Sequence, residues 1–306
     1  MKNALTFALL FLPLVMFAQD KPILPEKVLF LGNSITYAGD YVAQAEAYLR
    51  VKNPDRKLEF INIGLPSETL SGLSEPGHAG GAFPRPDLHE RLHRVLEAIQ
   101  PRLIIACYGM NDGIYLPFDE QRFGKFKEGV DWLDSTVKSS GAEIIWLTPP
   151  LFDERKGAAY ANVLDIYSDW LLSKQYTENW AVVDLHWPMK KYLEDRRAAD
   201  STFAFATDGV HPNELGHWIM ARELLAFLGE REVFQAKEPA EAFSSFRHGE
   251  QILKLVKERQ SIMKDAWLTK TGHQRPGMKT GLPLDEAIKQ AGLAEKEINT
   301  LLTNSK

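Results

Sequence analysis

Four short polar motifs in this chain each follow an apolar run, and together they contain the residue types needed for acyl transfer. The motifs are Gly32-Asn33-Ser34-Ile35-Thr36, Asn62-Ile63-Gly64, Gly109-Met110-Asn111-Asp112 and Asp208-Gly209-Val210-His211. They provide a hydroxyl nucleophile, an imidazole base, a carboxylate to orient that base, and amide N–H groups for a developing oxyanion. These parts predict a serine esterase.

Each motif also has a non-catalytic interpretation when it is taken alone. Gly-Asn-Ser is most often a turn, and Asn-Asp after a strand or a single Asp-x-x-His is common in loops. The catalytic interpretation is favoured because all four loops occur in one order at the ends of apolar runs.

Short apolar runs alternate with helical patterns along the chain, as in parallel sheets that are covered by helices on both faces. The predicted strands span residues 28–31, 58–63, 103–108, 143–148 and 181–183. The predicted helices span residues 41–51, 88–99, 123–139, 159–175 and 214–228. We therefore predict an α/β fold with a doubly wound, five-stranded parallel sheet, whose site lies at the carboxyl ends of the strands.

With these motifs in this order, residues 26–228 resemble an SGNH, or GDSL-type, hydrolase domain. Ser34, Gly64, Asn111 and His211 stand at the four positions that name the family. The resemblance implies a flavodoxin-like core and hydrolysis of acyl esters. Asn33 stands where the GDSL motif has Asp, which leaves the nucleophile intact.

The resemblance also implies a role for each motif residue. Ser34 would be the nucleophile, His211 the base, and Asp208 the carboxylate that holds the imidazole. The oxyanion hole would consist of the backbone amides of Ser34 and Gly64 and the side-chain amide of Asn111. The rate should then fall at acid pH as His211 is protonated.

Several other polar and aromatic residues near the motifs are candidates for substrate contact, with loop or core packing as the alternative for each. Asp112 has the further alternative of bracing the Asn111 loop. The candidates are Asn33, Thr36, Tyr37, Asp112, Tyr115 and Trp187.

Composition limits the class of protein and its partners. With 306 residues, 44% hydrophobic and 25% charged, the chain is long enough for one α/β core and an appendage. The formal net charge of −5, with dispersed positive charges, disfavours a nucleic acid or an anionic membrane as partner. Cys107 lies in an apolar run and is predicted to be a buried strand residue.

The amino-terminal residues have the pattern of a secretory signal. A charged start is followed by an apolar run from Ala4 to Phe17, which is too short to span a bilayer. We expect residues 1–19 to be removed and the protein to be exported to the periplasm or the medium without a stable membrane anchor.

The sequence His89-Glu90-Arg91-Leu92-His93 matches the H-E-x-x-H pattern of zinc peptidases. The next histidine is His186, so the third ligand of a metzincin is absent. We expect these histidines on the outer face of a helix, and we predict no metal and no cofactor.

Residues 239–306 lie outside the expected domain and are predicted to form a helical extension. A long helix through Trp267 is followed by a Gly- and Pro-rich connection at 271–277 and a last helix at 284–302. Packing on the main domain is the favoured role. The alternative is that His273, Gln274 and Arg275 reach over the site and contact a substrate.

The sequence gives weaker indications of the substrate, which we expect to be a small-molecule or polysaccharide ester. An exported esterase with aromatic residues near its site favours an O-acetyl group on a carbohydrate. A lipid acyl esterase or lysophospholipase is the alternative enzyme. A non-catalytic carbohydrate-binding protein is the alternative from another class, although the intact Ser34, Asp208 and His211 argue against it.

Overall fold

The computed structural model describes residues 24–304, so the predicted signal segment, residues 1–19, lies outside the described residues. Five parallel strands form one sheet in the order β2-β1-β3-β4-β5. The strands are β1 (Lys27–Gly32), β2 (Glu59–Asn62), β3 (Leu103–Cys107), β4 (Glu143–Leu147) and β5 (Ala181–Val183). The predicted α/β fold with a five-stranded parallel sheet is confirmed.

Helices cover both faces of this sheet and continue beyond it into the carboxyl-terminal region. In chain order they are α1 (Ser34–Ala38), α2 (Asp40–Lys52), α3 (Leu92–Ile99), α4 (Glu120–Ser139), α5 (Glu154–Thr177), α6 (His186–Ala199), α7 (Glu214–Phe227), α8 (Pro239–Ser244), α9 (Gly249–Thr271) and α10 (Leu284–Thr303). Among residues 24–304, no helix is both long enough and apolar enough to cross a membrane.

Side-chain caps explain where several helices begin. Asp119 precedes α4 and accepts a hydrogen bond from Arg122 N at 2.9 Å, and Asn213 precedes α7 and accepts one from Gly216 N at 3.0 Å. Such caps satisfy backbone donors that have no partner within the helix. Helix α6 was not predicted from the sequence, and the predicted helix at 88–99 is divided into a short 3-10 helix, Leu88–Glu90, and α3.

The strand order places the ends of three neighbouring strands around the site. β1 lies between β2 and β3, with Phe30 level with Asn62 and Gly32 level with Cys107. Helical connections leave β1 and β3 in opposite directions at this switch point, which opens a crevice at their carboxyl ends. The loops that carry Ser34, Gly64 and Asn111 begin at this edge.

The carboxyl-terminal region is helical, as predicted, and packs on one of the helices that cover the sheet. α9 contacts α2 and β2, and α10 packs on α9. Where α9 meets α2, Arg259 donates to both carboxylate oxygens of the fully buried Glu46. At α10, Arg50 donates to both carboxylate oxygens of Glu295, at 2.9 and 2.6 Å.

Candidate active site

Ser34 is the first residue of α1, directly after the turn that ends β1. The buried side chain of Asn33 caps this helix and accepts a hydrogen bond from Ile35 N at 3.1 Å. As the first helical residue, Ser34 has a backbone N–H without an acceptor in its own helix. The hydroxyl and one amide donor of Ser34 are therefore both presented at the carboxyl edge of the sheet.

Ser34, His211 and Asp208 form a continuous chain of hydrogen bonds. His211 Nδ1 lies 2.6 Å from Asp208 Oδ2, and His211 Nε2 lies 2.8 Å from Ser34 Oγ. When Nδ1 carries the proton and donates to the carboxylate, Nε2 is left to accept from the Ser34 hydroxyl. This is the arrangement in which an imidazole can take the proton of a serine hydroxyl.

The backbone of its own loop also holds the carboxylate of Asp208. Asp208 Oδ1 accepts hydrogen bonds from the N–H groups of Val210 at 2.8 Å and His211 at 2.9 Å. Burial opposes ionisation of Asp208, but the hydrogen bonds from His211 and from the backbone outweigh it and lower its pKa to about 2. Asp208 is thus a charged acceptor at any ordinary pH.

The site is open to solvent at this end. The side chains of His211 and Asp208 are 51% and 52% exposed. A bulky alcohol portion of a substrate can therefore approach Ser34 from outside without any loop having to open.

The side-chain amide of Asn111 is fixed at both ends. Its Oδ1 accepts a hydrogen bond from Tyr115 Oη at 3.0 Å, and its Nδ2 donates to the carbonyl of Glu68 at 3.1 Å. Because Nδ2 carries two N–H groups, one donor remains beyond the bond to Glu68.

Asp112 braces the same loop from within, which is the alternative that the sequence left open for it. Its Oδ2 accepts from Gly109 N at 2.8 Å, and its Oδ1 accepts from Leu70 N and Ser71 N at 2.7 and 2.8 Å. Gly109 has φ +110°, a conformation that side chains disfavour. Burial raises the pKa of Asp112, although the backbone hydrogen bonds oppose this.

Gly64 lies directly against the backbone of α1. A Cβ at this position would be 2.4 Å from Tyr37 N, so no larger residue fits. Its N–H donates to Asn62 Oδ1 at 2.9 Å, and therefore the structure brings Gly64 to the site with its amide already engaged.

A buried ion pair beneath the site was missed by the sequence analysis. Glu68 and Arg91 are both fully buried and joined by two hydrogen bonds, with Arg91 Nε 2.6 Å from Oε1 and Nη2 2.8 Å from Oε2. Tyr108 Oη donates to the same carboxylate at 2.7 Å. The pair fixes the segment whose carbonyl orients Asn111, but two isolated charged residues in a sequence carry no pattern that would reveal it.

The remaining candidates for substrate contact lie in different surroundings. Tyr115 contacts Asn111 and stacks on Tyr160, with ring centroids 4.7 Å apart. Thr36 is buried, with its Oγ1 3.0 Å from Tyr41 Oη, and Trp187 donates to Asp169 of α5 at 2.8 Å. These contacts tie Thr36 and Trp187 to neighbouring helices rather than to the hydrogen-bonded chain.

Tyr37 is joined to the carboxyl-terminal region. Its hydroxyl donates to Asp265 Oδ1 at 3.0 Å, and Lys264 Nζ donates to its carbonyl at 2.6 Å. Burial, together with the bond to Asp265, raises the pKa of Tyr37 to about 12. The helix that carries Ser34 therefore contacts α9 directly.

Two residues with an unusual backbone conformation lie next to Asn111. Ile114 and Tyr115 have φ values of +48° and +57°, which are uncommon for residues other than glycine. Strained residues of this kind persist only where surrounding contacts hold them. Here the hydrogen bond from Tyr115 to Asn111 is such a contact.

The H-E-x-x-H residues do not share one continuous α-helix. His89 belongs to the 3-10 helix, bonds to Asp87 at 2.6 Å and stacks on Trp132, whereas His93 is exposed on α3. Within residues 24–304, no group of three or more His, Cys, Asp or Glu side chains is arranged to hold a metal ion.

Much of the chain that carries these residues is similar to known proteins. Residues 30–219 match the model of the GDSL-like Lipase/Acylhydrolase family. An acetylxylan esterase from Geobacillus stearothermophilus is 24% identical over 226 residues, covering 67% of this chain and 94% of that protein.

Solved structures share the fold at low sequence identity. A catalytic mutant of the Geobacillus stearothermophilus acetylxylan esterase superposes with a TM-score of 0.54 at 23% identity, covering 68% of this chain and 96% of that one. A gut microbial diltiazem-metabolizing enzyme gives 0.57 at 20% identity, covering 66% of this chain but only 46% of that one. A hydrolase from the metagenome of Lake Arreo gives 0.52 at 23% identity, covering 67% and 95%.

Proposed function

The chain belongs to the GDSL-like lipase/acylhydrolase family and is a hydrolase of carboxylic esters, and on this premise we propose that it removes O-acetyl groups from carbohydrates by a serine mechanism. The observation that carries the proposal is the unbroken chain from Ser34 Oγ to His211 at 2.8 Å and from His211 to Asp208 at 2.6 Å.

In the first half-reaction, Ser34 Oγ attacks the ester carbonyl as its proton passes to His211 Nε2. Asp208, held ionised by its hydrogen bonds, stabilises the imidazolium that forms. The imidazolium then protonates the sugar oxygen of the ester, so that the sugar leaves as an alcohol and an acyl-enzyme remains. In the second half, His211 takes a proton from the water that attacks the acyl-enzyme, and it returns a proton to Ser34 Oγ as the acid is released.

The oxyanion would be held by the backbone N–H of Ser34 and the second N–H of Asn111 Nδ2. The amide of Gly64 is the third donor in this proposal, and it would have to share its hydrogen with Asn62 Oδ1 or leave that acceptor. Donors fixed before the reaction are effective because they need no reorganisation as charge develops.

Two observations support an acetylated carbohydrate as the substrate. The half-exposed His211 and Asp208 leave room for a bulky alcohol. Furthermore, the similar protein from Geobacillus stearothermophilus is named for activity on acetylated xylan.

Hydrolysis of p-nitrophenyl acetate and acetate release from acetylated xylo-oligosaccharides test the proposal. Ser34→Ala should reduce both rates by at least about 10³-fold. The control is Ser173→Ala, which changes an exposed serine on α5 whose hydroxyl donates to Trp170 O at 2.6 Å. Equal rates in wild type and Ser34→Ala would exclude Ser34 as nucleophile, and saccharide binding without turnover would favour a carbohydrate-binding protein.

Export is part of the same proposal. It rests on the charged start and the short apolar run that ends near Phe17. Amino-terminal sequencing of protein recovered from the periplasm or medium should find a start near residue 20, whereas an intact Met1 in cytoplasmic protein would contradict export.

A further inference from the structure

The connection between α9 and α10 lies beside the helix that carries Ser34. At its start, Arg94 Nε on α3 donates to the carbonyl of Thr271 at 2.7 Å. Further along the connection, Lys279 pairs with Asp265 at 3.2 Å, and Asp265 accepts the hydroxyl of Tyr37 at 3.0 Å. Because Tyr37 follows Ser34 by three positions in α1, both lie on the same face of that helix.

Arg275 projects from this connection against a second segment that borders the site. Its guanidinium carbon lies 5.3 Å from the centre of the Phe83 ring. From the same segment as Phe83, Arg85 lies 5.2 Å from the ring centre of Tyr115, which in turn donates to Asn111. The Arg275 side chain thus contacts the segment that carries Arg85, and it also interacts electrostatically with Tyr37 on the helix of Ser34.

Part of the Arg275 guanidinium has no hydrogen-bond partner among the described residues. Its Nη1 donates to the carbonyl of Pro276 and contacts Met278 Sδ, both at 3.1 Å. Its Nε is buried without a partner, and within residues 24–304 its Nη2 donates no hydrogen bond and no carboxylate pairs with it. Burial lowers the pKa of Arg275, as expected for a cation without a neighbouring acid.

Other arginines around the site, in contrast, are paired with acidic side chains. Arg91 is paired with Glu68, Arg85 with Glu75 and Arg94 with Glu90, each at 2.6 or 2.7 Å. A guanidinium pairs well with a carboxylate because its N–H groups are planar, permanently charged donors. Stacking on Phe83 restrains the guanidinium, which lowers the entropy lost on binding.

We propose that Arg275 is a specificity residue that binds a carboxylate of the substrate, so that the preferred substrates are acetyl esters of acidic sugars such as uronic acids. The carboxylate supplies an acceptor for Nη2 and a negative charge that the guanidinium lacks among residues 24–304, while the acetyl ester occupies the space beside Ser34. This inference rests on the proposed esterase function, because it names the alcohol portion of that same substrate.

The test compares two substrates that differ in a single group, O-acetylated methyl glucuronide and its carboxamide. Wild type should show a kcat/KM about tenfold higher for the acid, mainly through a lower KM, as expected for a charged hydrogen-bonded pair. Arg275→Gln should bring the acid-to-amide ratio close to one, and Arg275→Lys should retain part of the preference.

The matched control is Arg196→Gln on α6. Arg196 also stacks on a phenylalanine, with its guanidinium carbon 5.1 Å from the ring centre of Phe203, but it is exposed. This variant should keep the wild-type ratio. Raised salt should reduce the preference of wild type for the acid.

The outcomes separate this inference from the esterase proposal. If wild type hydrolyses acid and amide equally well, or if Arg275→Gln keeps the wild-type ratio, the inference is overturned while the esterase function stands. If wild type releases acetate from neither substrate and does not cleave p-nitrophenyl acetate, the esterase function is overturned and the inference falls with it.

Discussion

The loops of the site and the carboxyl-terminal helices are held by two different kinds of contact. In the loops, carboxylates accept hydrogen bonds from backbone amides: Asp208 does so from His211 and Asp112 from Gly109, each three residues away, and Asp112 also from Leu70 and Ser71. The carboxyl-terminal helices are instead joined to the core by pairs of charged side chains. Arg50 and Glu295, for example, are separated by 245 positions.

Because their contacts differ, the site and the carboxyl-terminal helices should respond differently to substitution. A loop held by its own backbone can lose a catalytic side chain and keep its structure. An interface built on buried ion pairs loses stability when one partner is removed, because the other charge remains buried. Substitutions in the first region should therefore change the rate, and those in the second should change the free energy of unfolding.

The largest effect is expected for Asp208→Asn. An amide at this position can donate to His211 Nδ1 and hold the imidazole in the wrong tautomer, which lowers kcat about 10⁴-fold in a serine triad. The melting temperature should change little. Asp169→Asn, which alters the exposed partner of Trp187, is the control and should leave kcat for p-nitrophenyl acetate unchanged. A loss below tenfold in Asp208→Asn would contradict the assigned role.

Asn111→Ala should reduce kcat/KM by about 10²–10³-fold, the usual cost of removing one oxyanion donor. Asn53→Ala, at the end of α2, provides the control, since among the described residues its side chain bonds only to Leu49 O at 3.3 Å. If both variants lose activity to the same small extent, Asn111 is a loop residue rather than an oxyanion donor.

Arg259→Met tests the other region and should lower the free energy of unfolding by about 3 kcal/mol, because Glu46 stays buried without its main partner. Urea unfolding measures this change, and the folded variant should still hydrolyse p-nitrophenyl acetate. Lys52→Met removes the exposed ion pair with Glu232 and should cost under about 1 kcal/mol. Equal destabilisation by the two variants would refute the distinction between buried and exposed pairs.

Tyr37→Phe removes one contact between the two regions and should destabilise the protein by only about 1 kcal/mol, since the hydroxyl is part-buried. The pKa of Tyr37 is raised to about 12. The contribution of its hydroxyl to the free energy of unfolding should therefore be complete below pH 10 and lost as pH rises towards 12. Unfolding of wild type and variant at pH 8 and pH 11 measures the difference. A stability difference between wild type and variant that is larger at pH 11 than at pH 8 would contradict this prediction.

The difference between contacts that are local in sequence and contacts between distant residues also explains which features the sequence predicted. The five strands and the four motif loops follow from apolar runs and from residues close together in the chain, and so they could be predicted. Helix α6 was missed because His186-Trp187-Pro188 resembles a loop after β5. The first turn of α5 was missed as well, where Gly157 interrupts the helical conformation.

Contacts between distant residues could not be predicted in the same way. The sequence gives no indication that Tyr37 bonds to Asp265, or that Glu68 and Arg91 form a buried pair below Asn111. Thr36 and Trp187 were candidates because of their residue type and position, but their partners, Tyr41 and Asp169, depend on tertiary packing. Local patterns located the loops, whereas tertiary contacts determine which way each side chain points.

Labelling with a fluorophosphonate would show directly whether Ser34 is the nucleophile. The reagent reacts with a serine only when a neighbouring base activates its hydroxyl. If Ser34 is the nucleophile, mass spectrometry should find a single adduct on the peptide that contains Ser34, and esterase activity should be lost in proportion to labelling. An adduct on another residue, or full activity after Ser34 has been labelled, would contradict it.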